Sequence, residues 1–382
     1  MKTTKVGVIG TGMIGPLHIE ALKRIPGLDP VVLVGSSVDK ARKKAEALGV
    51  PTGLGDYKEL LKMDEIESVH VCTPNHLHYP MVKAALEAGK HVICEKPLAT
   101  TVQEAEELSE LADKKGLVNA VHFNIRYYPL MTHLKRMVEA GDLGDVYQIQ
   151  GSYLQDWLFY PTDYNWRLEP EYAGESRAVA DIGSHWMDLI EYVSGRRIVE
   201  VLADFKTFHP TRKKPNHSVE TYSGKTLKAE DYTDFPVTTE DYATVLLGFD
   251  NGGRGVFTVS QVFAGRKNRL YFEIGGSKQA ITWESERPNE VWIGNRDEPN
   301  RLMLKDPALA HPDSAAQMGW PGGHNEGFPD TPKQMFRQIY ARIRGEDAGG
   351  APPYPTFADG LRELVLCERI VESSKKRAWV RV

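Results

Sequence analysis

The chain has 382 residues, 41% hydrophobic and 26% charged, which excludes a disordered or membrane-embedded protein and suits two moderate domains better than one. Its formal charge of -5 leaves no general footprint for nucleic acid. Cys72, Cys94 and Cys367 are widely spaced and odd in number, so buried reduced thiols are expected rather than a disulfide framework. No apolar run reaches a membrane span and no secretory core opens the chain, so a cytoplasmic protein is expected.

Residues 5–10 read as a short buried strand entering the glycine turn Gly10-Thr11-Gly12-Met13-Ile14-Gly15. Apolar positions at Ile14, Leu17, Ala21 and Leu22 then predict a helix over 14–24. A second strand is predicted over 31–34, and an amphipathic helix over 40–48, stopped by Gly49 and Pro51. A third strand over 69–72 ends at Thr73-Pro74-Asn75, and a helix over 80–88 stops at Gly89. A strand over 91–94 ends at Glu95-Lys96-Pro97, followed by a periodic helix over 101–115 and a strand over 118–121. This alternation predicts a mostly parallel sheet covered by helices, with its site outside the carboxyl ends of the strands. Gly12, Pro74, Glu95 and Lys96 all fall at that edge.

Beyond residue 122 the pattern changes. A helix over 129–140 and a strand over 146–155 precede an irregular stretch, 156–178, rich in Trp, Tyr, Pro and charge. Another helix is predicted over 183–193, then a polar segment over 209–240 in which Arg212-Lys213-Lys214, a candidate basic patch, reads as a solvated turn. Alternating residues over 244–249 and 256–260 flank Asp250-Asn251-Gly252-Gly253, a hairpin signal that predicts an antiparallel sheet. Strand-like pieces over 269–274 and 279–283 and helices over 331–344 and 357–374 complete the chain. The expected organisation is a dinucleotide domain over 1–122, a second domain over 123–355, and a terminal helix and tail over 356–382 packing back on the body.

In the glycine turn, Gly10 permits the tight bend, Gly12 leaves room for a pyrophosphate and Gly15 lets the helix approach the strand. Met13 and Ile14 open that helix, whose N-terminal N–H groups suit phosphates. A carboxylate ordinarily ends the second strand to hold the adenosine ribose of NAD, yet here Gly35-Ser36-Ser37 stands there and Asp39 lies beyond. Ser36, Ser37 and Lys40 can donate to a 2′-phosphate, or the serines can simply cap the next helix. NAD(H) and NADP(H) both stay open.

An ammonium at Lys96 can bind a substrate hydroxyl, stabilise a developing oxyanion or relay its proton. Glu95 can orient it or complete a buried network. Asp181-Ile182-Gly183-Ser184-His185 sets a carboxylate and an imidazole four residues apart, on one face if a helix begins near Asp181. With an ordinary pKa of ~6.5, an imidazole such as His185 exchanges protons near neutrality. Asp181, His185 and Asp188 supply oxygen and imidazole, but nothing nearby completes a metal site, so no metal is expected.

Taken in order, Gly10 to Gly15, Thr73-Pro74-Asn75, Glu95-Lys96-Pro97-Leu98-Ala99 and Asp181-Ile182-Gly183-Ser184-His185 resemble the glucose–fructose oxidoreductase / inositol dehydrogenase family over nearly the full chain. The resemblance implies an α/β fold: an N-terminal Rossmann domain, then an α/β domain with a large, mostly antiparallel open sheet used in homodimers or homotetramers. It implies Lys96 and His185 as the acid–base pair, in either assignment of roles, with Asp181 beside them. It places Thr73, Pro74, Asn75, His78, Glu95 and Lys96 around the cofactor, with Asn124 and Arg126 of the same cofactor-binding set at the junction.

Tyr153, Trp157, Tyr160, Tyr164, Asn165, Trp166 and Arg167 mix rings with hydrogen-bond donors, a combination that can cover the C–H face of a pyranose or cyclitol and select its hydroxyls. The rings can equally be packing, and Arg167 can equally bind an acidic group. His324, within Gly323-His324-Asn325-Glu326-Gly327-Phe328, is a candidate for a second pocket wall. The expected function is reversible oxidation of a secondary hydroxyl on an unphosphorylated sugar, glycoside or cyclitol by hydride transfer to NAD(P), with neither nucleic acid nor membrane as partner. The alternatives are a glycoside-cleaving enzyme that oxidises its sugar transiently and a noncatalytic dinucleotide-binding regulator.

Overall fold

The computed structural model describes residues 3–216, 229–347 and 349–382, so part of the polar segment over 209–240 lies outside the described residues. The chain forms two compact units, one from residues up to Asn124 together with Phe328–Leu364, the other from Ile125–Gly327 together with Val365–Val382.

The first unit runs β1 (Thr4–Ile9), α1 (Ile14–Lys23), β2 (Leu28–Val34), α2 (Val38–Leu48), β3 (Thr52–Leu54), α3 (Tyr57–Leu61), β4 (Ile66–Val71), α4 (His78–Glu87), β5 (His91–Cys94), α5 (Val102–Lys115) and β6 (Asn119–Val121). Its sheet has the order β3-β2-β1-β4-β5-β6, parallel throughout, as the βα alternation requires. The central strands are nearly unbroken apolar runs because helices cover both faces: Val6, Val8, Leu33, Val69, Val71, Val92 and Ile93 are all buried. Local chemistry sets the helix ends. The Ser37 and Thr101 side chains cap α2 and α5, and Gly49 and Gly116 end the same helices in the left-handed conformation. β3 and α3 have no counterpart in the sequence reading, since elements of three and five residues are too short to display a period.

The second unit contains α6 (Met131–Glu139), β7 (Val146–Leu154), α7 (Pro170–Ala173), α8 (Ser184–Ser194), β8 (Ile198–Lys206), β9 (Thr211–Pro215), β10 (Tyr232–Pro236), β11 (Tyr242–Phe249), β12 (Arg254–Ser260), β13 (Arg269–Gly276), β14 (Gln279–Glu284), β15 (Glu290–Asn295), β16 (Arg301–Leu304) and α9 (Pro312–Ala315). After α10 (Thr331–Ile343) and α11 (Phe357–Lys376), β17 (Val380–Arg381) returns to this unit's sheet. That sheet has the order β16-β15-β14-β13-β7-β12-β11-β8-β17, and only β7 with β12 is parallel. The β11–β12 hairpin turns at 250–253, as the turn residues predict. Helix α8 lies on the sheet through Trp186, whose ring stacks on Phe257 at 4.6 Å and whose Nε1 donates to the Tyr271 carbonyl at 2.9 Å.

Two sequence expectations change here. Residues 328–355, read as part of the second domain, group with the first unit: Asn124 Nδ2 donates to Thr331 Oγ1 at 2.6 Å, and Phe336 and Tyr340 of α10 are buried against His70. An apolar stripe announces a helix but not the body it covers. The Arg212-Lys213-Lys214 turn is instead strand β9, paired with β10. Arg212 is fully buried against Asp241, while Lys213 pairs with Asp234 and Lys214 with Glu169. Among the described residues, no helix is long and apolar enough to cross a membrane.

Candidate active site

Three strands of the first unit meet at their carboxyl ends: the Gly10 amide donates to the Val34 carbonyl and the Cys72 amide to Ile9. Gly10 has φ 125°, and a Cβ there would sit 2.3 Å from the Cys72 carbonyl oxygen. A Cβ on Gly15 would fall 1.9 Å from the Gly10 carbonyl oxygen, so both positions demand glycine. At Gly12 the same construction meets nothing within 4 Å. Open space there, beside a helix whose N-terminus carries no side-chain cap, fits a pyrophosphate held by the first-turn N–H groups near Met13 and Ile14. After β2, Ser37 Oγ accepts from the Lys40 amide at 3.4 Å, and Ser36, Ser37 and Lys40 are exposed. Ser37 thus caps α2 as an acceptor and keeps its own O–H to donate.

The turns after β4 and β5 carry the next set. Lys96 is half-buried and joined to Pro97 by a cis peptide bond. Thr73, Pro74 and Asn75 are half-buried in the turn after β4. His78, expected at the cofactor, is buried with Nδ1 2.7 Å from the Pro97 carbonyl oxygen and Nε2 2.8 Å from that of Thr73. Burial lowers its pKa, countered by those two carbonyls and the Glu95 charge, with Lys96 adding to the depression. Asn124, also expected there, is buried on Thr331.

Glu95 turns its carboxylate into a buried histidine cluster that sequence reading missed. Its Oε1 lies 2.9 Å from His18 Nε2 and 2.6 Å from His122 Nδ1. Burial pushes the carboxyl pKa up, but His122 and His18 outweigh it and hold the group well below its usual range. An ionised Glu95 assigns both imidazole nitrogens as donors, and a direction then runs through the cluster. His18 Nδ1 accepts from His70 Nδ1 at 2.8 Å; His70 Nε2 accepts from the Tyr340 hydroxyl at 2.9 Å; Tyr340 accepts from Ser68 at 2.8 Å. His18, Glu95 and His122 also form the one group among the described residues with metal-ligand composition. The 2.6 and 2.9 Å separations are those of charge-assisted hydrogen bonds, shorter than the ~3 Å spacing of atoms sharing a metal at ~2 Å. The signal in the sequence was three histidines inside otherwise apolar runs.

The cluster has a pH consequence. Burial, with the neighbouring His122 charge, lowers the His18 pKa from 6.5 to about 4 against the Glu95 hydrogen bond. The unfolded chain protonates this ring below pH 6.5 while the folded chain does not, so its stabilising contribution is complete above 6.5 and lost as pH falls to about 4. At one pKa unit per 1.36 kcal/mol, roughly 3 kcal/mol is at stake. Urea unfolding at a series of pH values should show stability falling through this window. His18→Gln, which keeps an N–H toward Glu95 but cannot titrate, should flatten the slope by about one proton. Equal slopes in the two proteins would rule out a neutral buried His18.

In the second unit, Asp181 lies in a π-helical turn, Val179–Gly183, and His185 is buried in the first turn of α8. The α-helical start expected near Asp181 is thus replaced by a wider turn. Asp181 Oδ1 accepts from Arg167 Nε at 3.1 Å and Oδ2 from Gln261 Nε2 at 2.8 Å. Arg167 also donates to Asn165 Oδ1 and stacks over Trp166 at 4.5 Å. Tyr153 lies with its ring 6.4 Å from that of His185, and its hydroxyl donates to Asn268 Oδ1 at 2.8 Å. Trp157 donates to Gln155, which donates to the same Asn268 oxygen.

Tyr164 packs with Leu158, Leu168 and Val237, and its hydroxyl donates to Glu169. The packing alternative therefore describes Tyr164 best, and burial beside Glu169 pushes its pKa up to about 12. Arg126 makes a two-pronged pair with Asp188, Nε to Oδ2 at 2.8 Å and NH2 to Oδ1 at 2.5 Å. His324 is exposed, its Nδ1 3.2 Å from the Gly322 carbonyl oxygen; the buried residue of that loop is Glu326, paired at 2.6 Å with Lys305 just after β16. Gln261, Asn268 and Arg177 were not legible as site residues, because isolated polar residues, two beside strand ends and one before the π turn, carry no local signal. A surface hollow of about 550 Å³ lined by His133, Asp142, Lys278, Arg301 and Met303 contains none of the candidate residues.

A glycine turn shaped for a pyrophosphate and a carboxyl edge bearing Lys96 define a dinucleotide-dependent class of protein. Residues 4–123 match the oxidoreductase family, NAD-binding Rossmann fold, and residues 131–282 match the GFO/IDH/MocA C-terminal domain. The chain is 30% identical to levoglucosan dehydrogenase of Pseudarthrobacter phenanthrenivorans, covering 100% of this chain and 99% of the relative. An oxidoreductase domain protein from Kribbella flavida superimposes with a TM-score of 0.90 at 34% identity, covering all of both chains. Levoglucosan dehydrogenase in complex with NADH and levoglucosan gives a TM-score of 0.88 at 29% identity, covering 100% of this chain and 100% of that one. The protein belongs to the glucose–fructose oxidoreductase / inositol dehydrogenase family.

Proposed function

We propose that the protein is an NAD-dependent dehydrogenase that reversibly oxidises a secondary hydroxyl of a neutral sugar, glycoside or cyclitol. The observation that carries this reading is full-length likeness to a levoglucosan dehydrogenase in a chain that carries Lys96 after β5, Asp181 in the π turn and His185 at the start of α8. When bound, the nicotinamide supplies the hydride acceptor. Lys96 binds the hydroxyl oxygen and steadies alkoxide character, and His185 takes the proton, or the two exchange these roles. Asp181, held by Arg167 and Gln261, acts as a fixed carboxylate for a substrate hydroxyl. Arg167 is already paired with a carboxylate, which supports a neutral substrate over an acidic one. The NADH complex of the levoglucosan dehydrogenase neighbour supports NAD over NADP. Assembly through the open sheet of the second unit belongs to the same reading.

A panel of sugars, anhydrosugars, glycosides and cyclitols assayed with NAD+ and NADP+ tests it. The expected result is NADH formed in step with a keto product, and faster with NAD+ than with NADP+. Net glycoside cleavage without NADH accumulation would replace the proposal with transient oxidation. Dinucleotide binding without turnover on any member would leave the regulatory alternative.

A further inference from the structure

The two turns at the carboxyl edge of the first sheet are tied together by one side chain. His78 opens α4, yet its ring is buried and reaches a backbone oxygen in each turn: Pro97 after β5 through Nδ1 and Thr73 after β4 through Nε2. Elsewhere the Glu95-Lys96-Pro97 turn is held on its buried side, by the Glu95 carboxylate in the histidine cluster and by the Cys94 thiol against the Glu95 carbonyl at 3.2 Å. The Pro97 carbonyl lies one residue beyond Lys96. Its donor therefore sets the far end of the segment that aims the ammonium.

We propose that His78 is a positioning residue for Lys96, acting through the hydrogen bond from Nδ1 to the Pro97 carbonyl, and is not a cofactor ligand. The inference rests on the reading of Lys96 as the catalytic group. Both ring nitrogens face backbone carbonyl oxygens, and the single N–H of the neutral ring, assigned to Nδ1, goes to Pro97, so the side chain has no further N–H to offer a dinucleotide. The two contacts can be separated chemically. The amide nitrogen of asparagine stands where Nδ1 stands, and that of glutamine where Nε2 stands. His78→Asn keeps the donor to Pro97 and gives up Thr73; His78→Gln does the reverse. A role confined to general packing would not distinguish them.

Steady-state turnover and NADH fluorescence titration of the full-length variants, beside Lys96→Ala, decide the matter. His78→Asn should stay within about threefold of the parent in kcat, while His78→Gln should lose on the order of tenfold or more, because displacements near 1 Å of a reacting group have effects up to ~100-fold. NADH affinity should stay within about threefold in both. Equal effects of the two substitutions on kcat, including none, overturn the proposal. So does NADH binding weakened on the order of tenfold with kcat intact, which would make His78 a cofactor residue. If His78→Gln does not fold, 15N-histidine NMR of the parent, with the ring assigned by its loss in His78→Asn, still decides: a protonated Nδ1 sustains the inference and a bare Nδ1 ends it. Lys96→Ala with undiminished turnover would fail the catalytic reading itself, whereas an inactive Lys96→Ala beside an unaffected His78→Gln would fail this inference alone.

Discussion

Replacing Lys96 by alanine is expected to lower turnover by roughly 10²–10⁴-fold while leaving NADH affinity almost unchanged. Lys96 follows the last residue of β5, Cys94, by two positions and is only half-buried, so its removal opens no core cavity. The neighbouring carboxylate, Glu95, is already satisfied by His18 and His122 and does not lose its counter-charge when the ammonium goes. The chain should therefore fold, bind dinucleotide at the Gly10–Gly15 turn, and fail at the step where alkoxide character develops. Turnover with the true substrate, measured beside an NADH titration, gives the answer. Full activity in the variant would remove Lys96 from the chemistry. A loss of NADH affinity matching the loss of activity would make it a cofactor residue.

The second large effect is structural and lies in the other unit. Asp241 is wholly buried and accepts from two wholly buried guanidiniums, Arg177 and, at 2.9 Å, Arg212. It also accepts from the Phe208 and His209 amides at 2.7 and 2.9 Å. Burial pushes its pKa up, yet Arg177, the His209 amide and Arg212 bring it below the ordinary value. Asp241→Ala leaves two buried cations without their shared anion, so unfolding free energy should fall by about 3–5 kcal/mol. In a unit of this size that is roughly 10 °C of melting temperature. Arg212→Met in the same chain should recover part of the loss, since one stranded charge is then removed. Denaturant unfolding of the two variants measures both quantities. A loss under about 1 kcal/mol, or simple additivity, would mean the arginines find other partners.

Arg177 links this buried centre to the candidate site. Its NH1 lies 3.4 Å from Gln261 Oε1, and Gln261 in turn donates to Asp181. Nothing local marks residues 177, 241 and 261 as one assembly: they come from the segment before a π turn, a loop and a strand end. By contrast, the Gly10–Gly15 turn was readable at once, because Gly10 needs a positive φ and a Cβ on Gly15 would meet the Gly10 carbonyl, requirements set within a few positions of the chain. The β11–β12 hairpin was readable for the same reason. Helix α10 was visible as a helix, but its packing against His70 was not.

The sequence by itself determined the parallel alternation, the glycine turn, the antiparallel sheet that follows, and the order of motifs that marks the family. Each depends on periodicity or on backbone geometry within a short window. Only the tertiary structure decided what the charged and titratable residues do. It turned Glu95 toward His18 and His122, committed His78 to the two backbone turns, paired Arg126 with Asp188, and converted a presumed basic turn into a strand with Arg212 buried on Asp241. The physical reason is that burial and the nearest charge set the behaviour of an ionisable group, and both are supplied by residues distant in the chain.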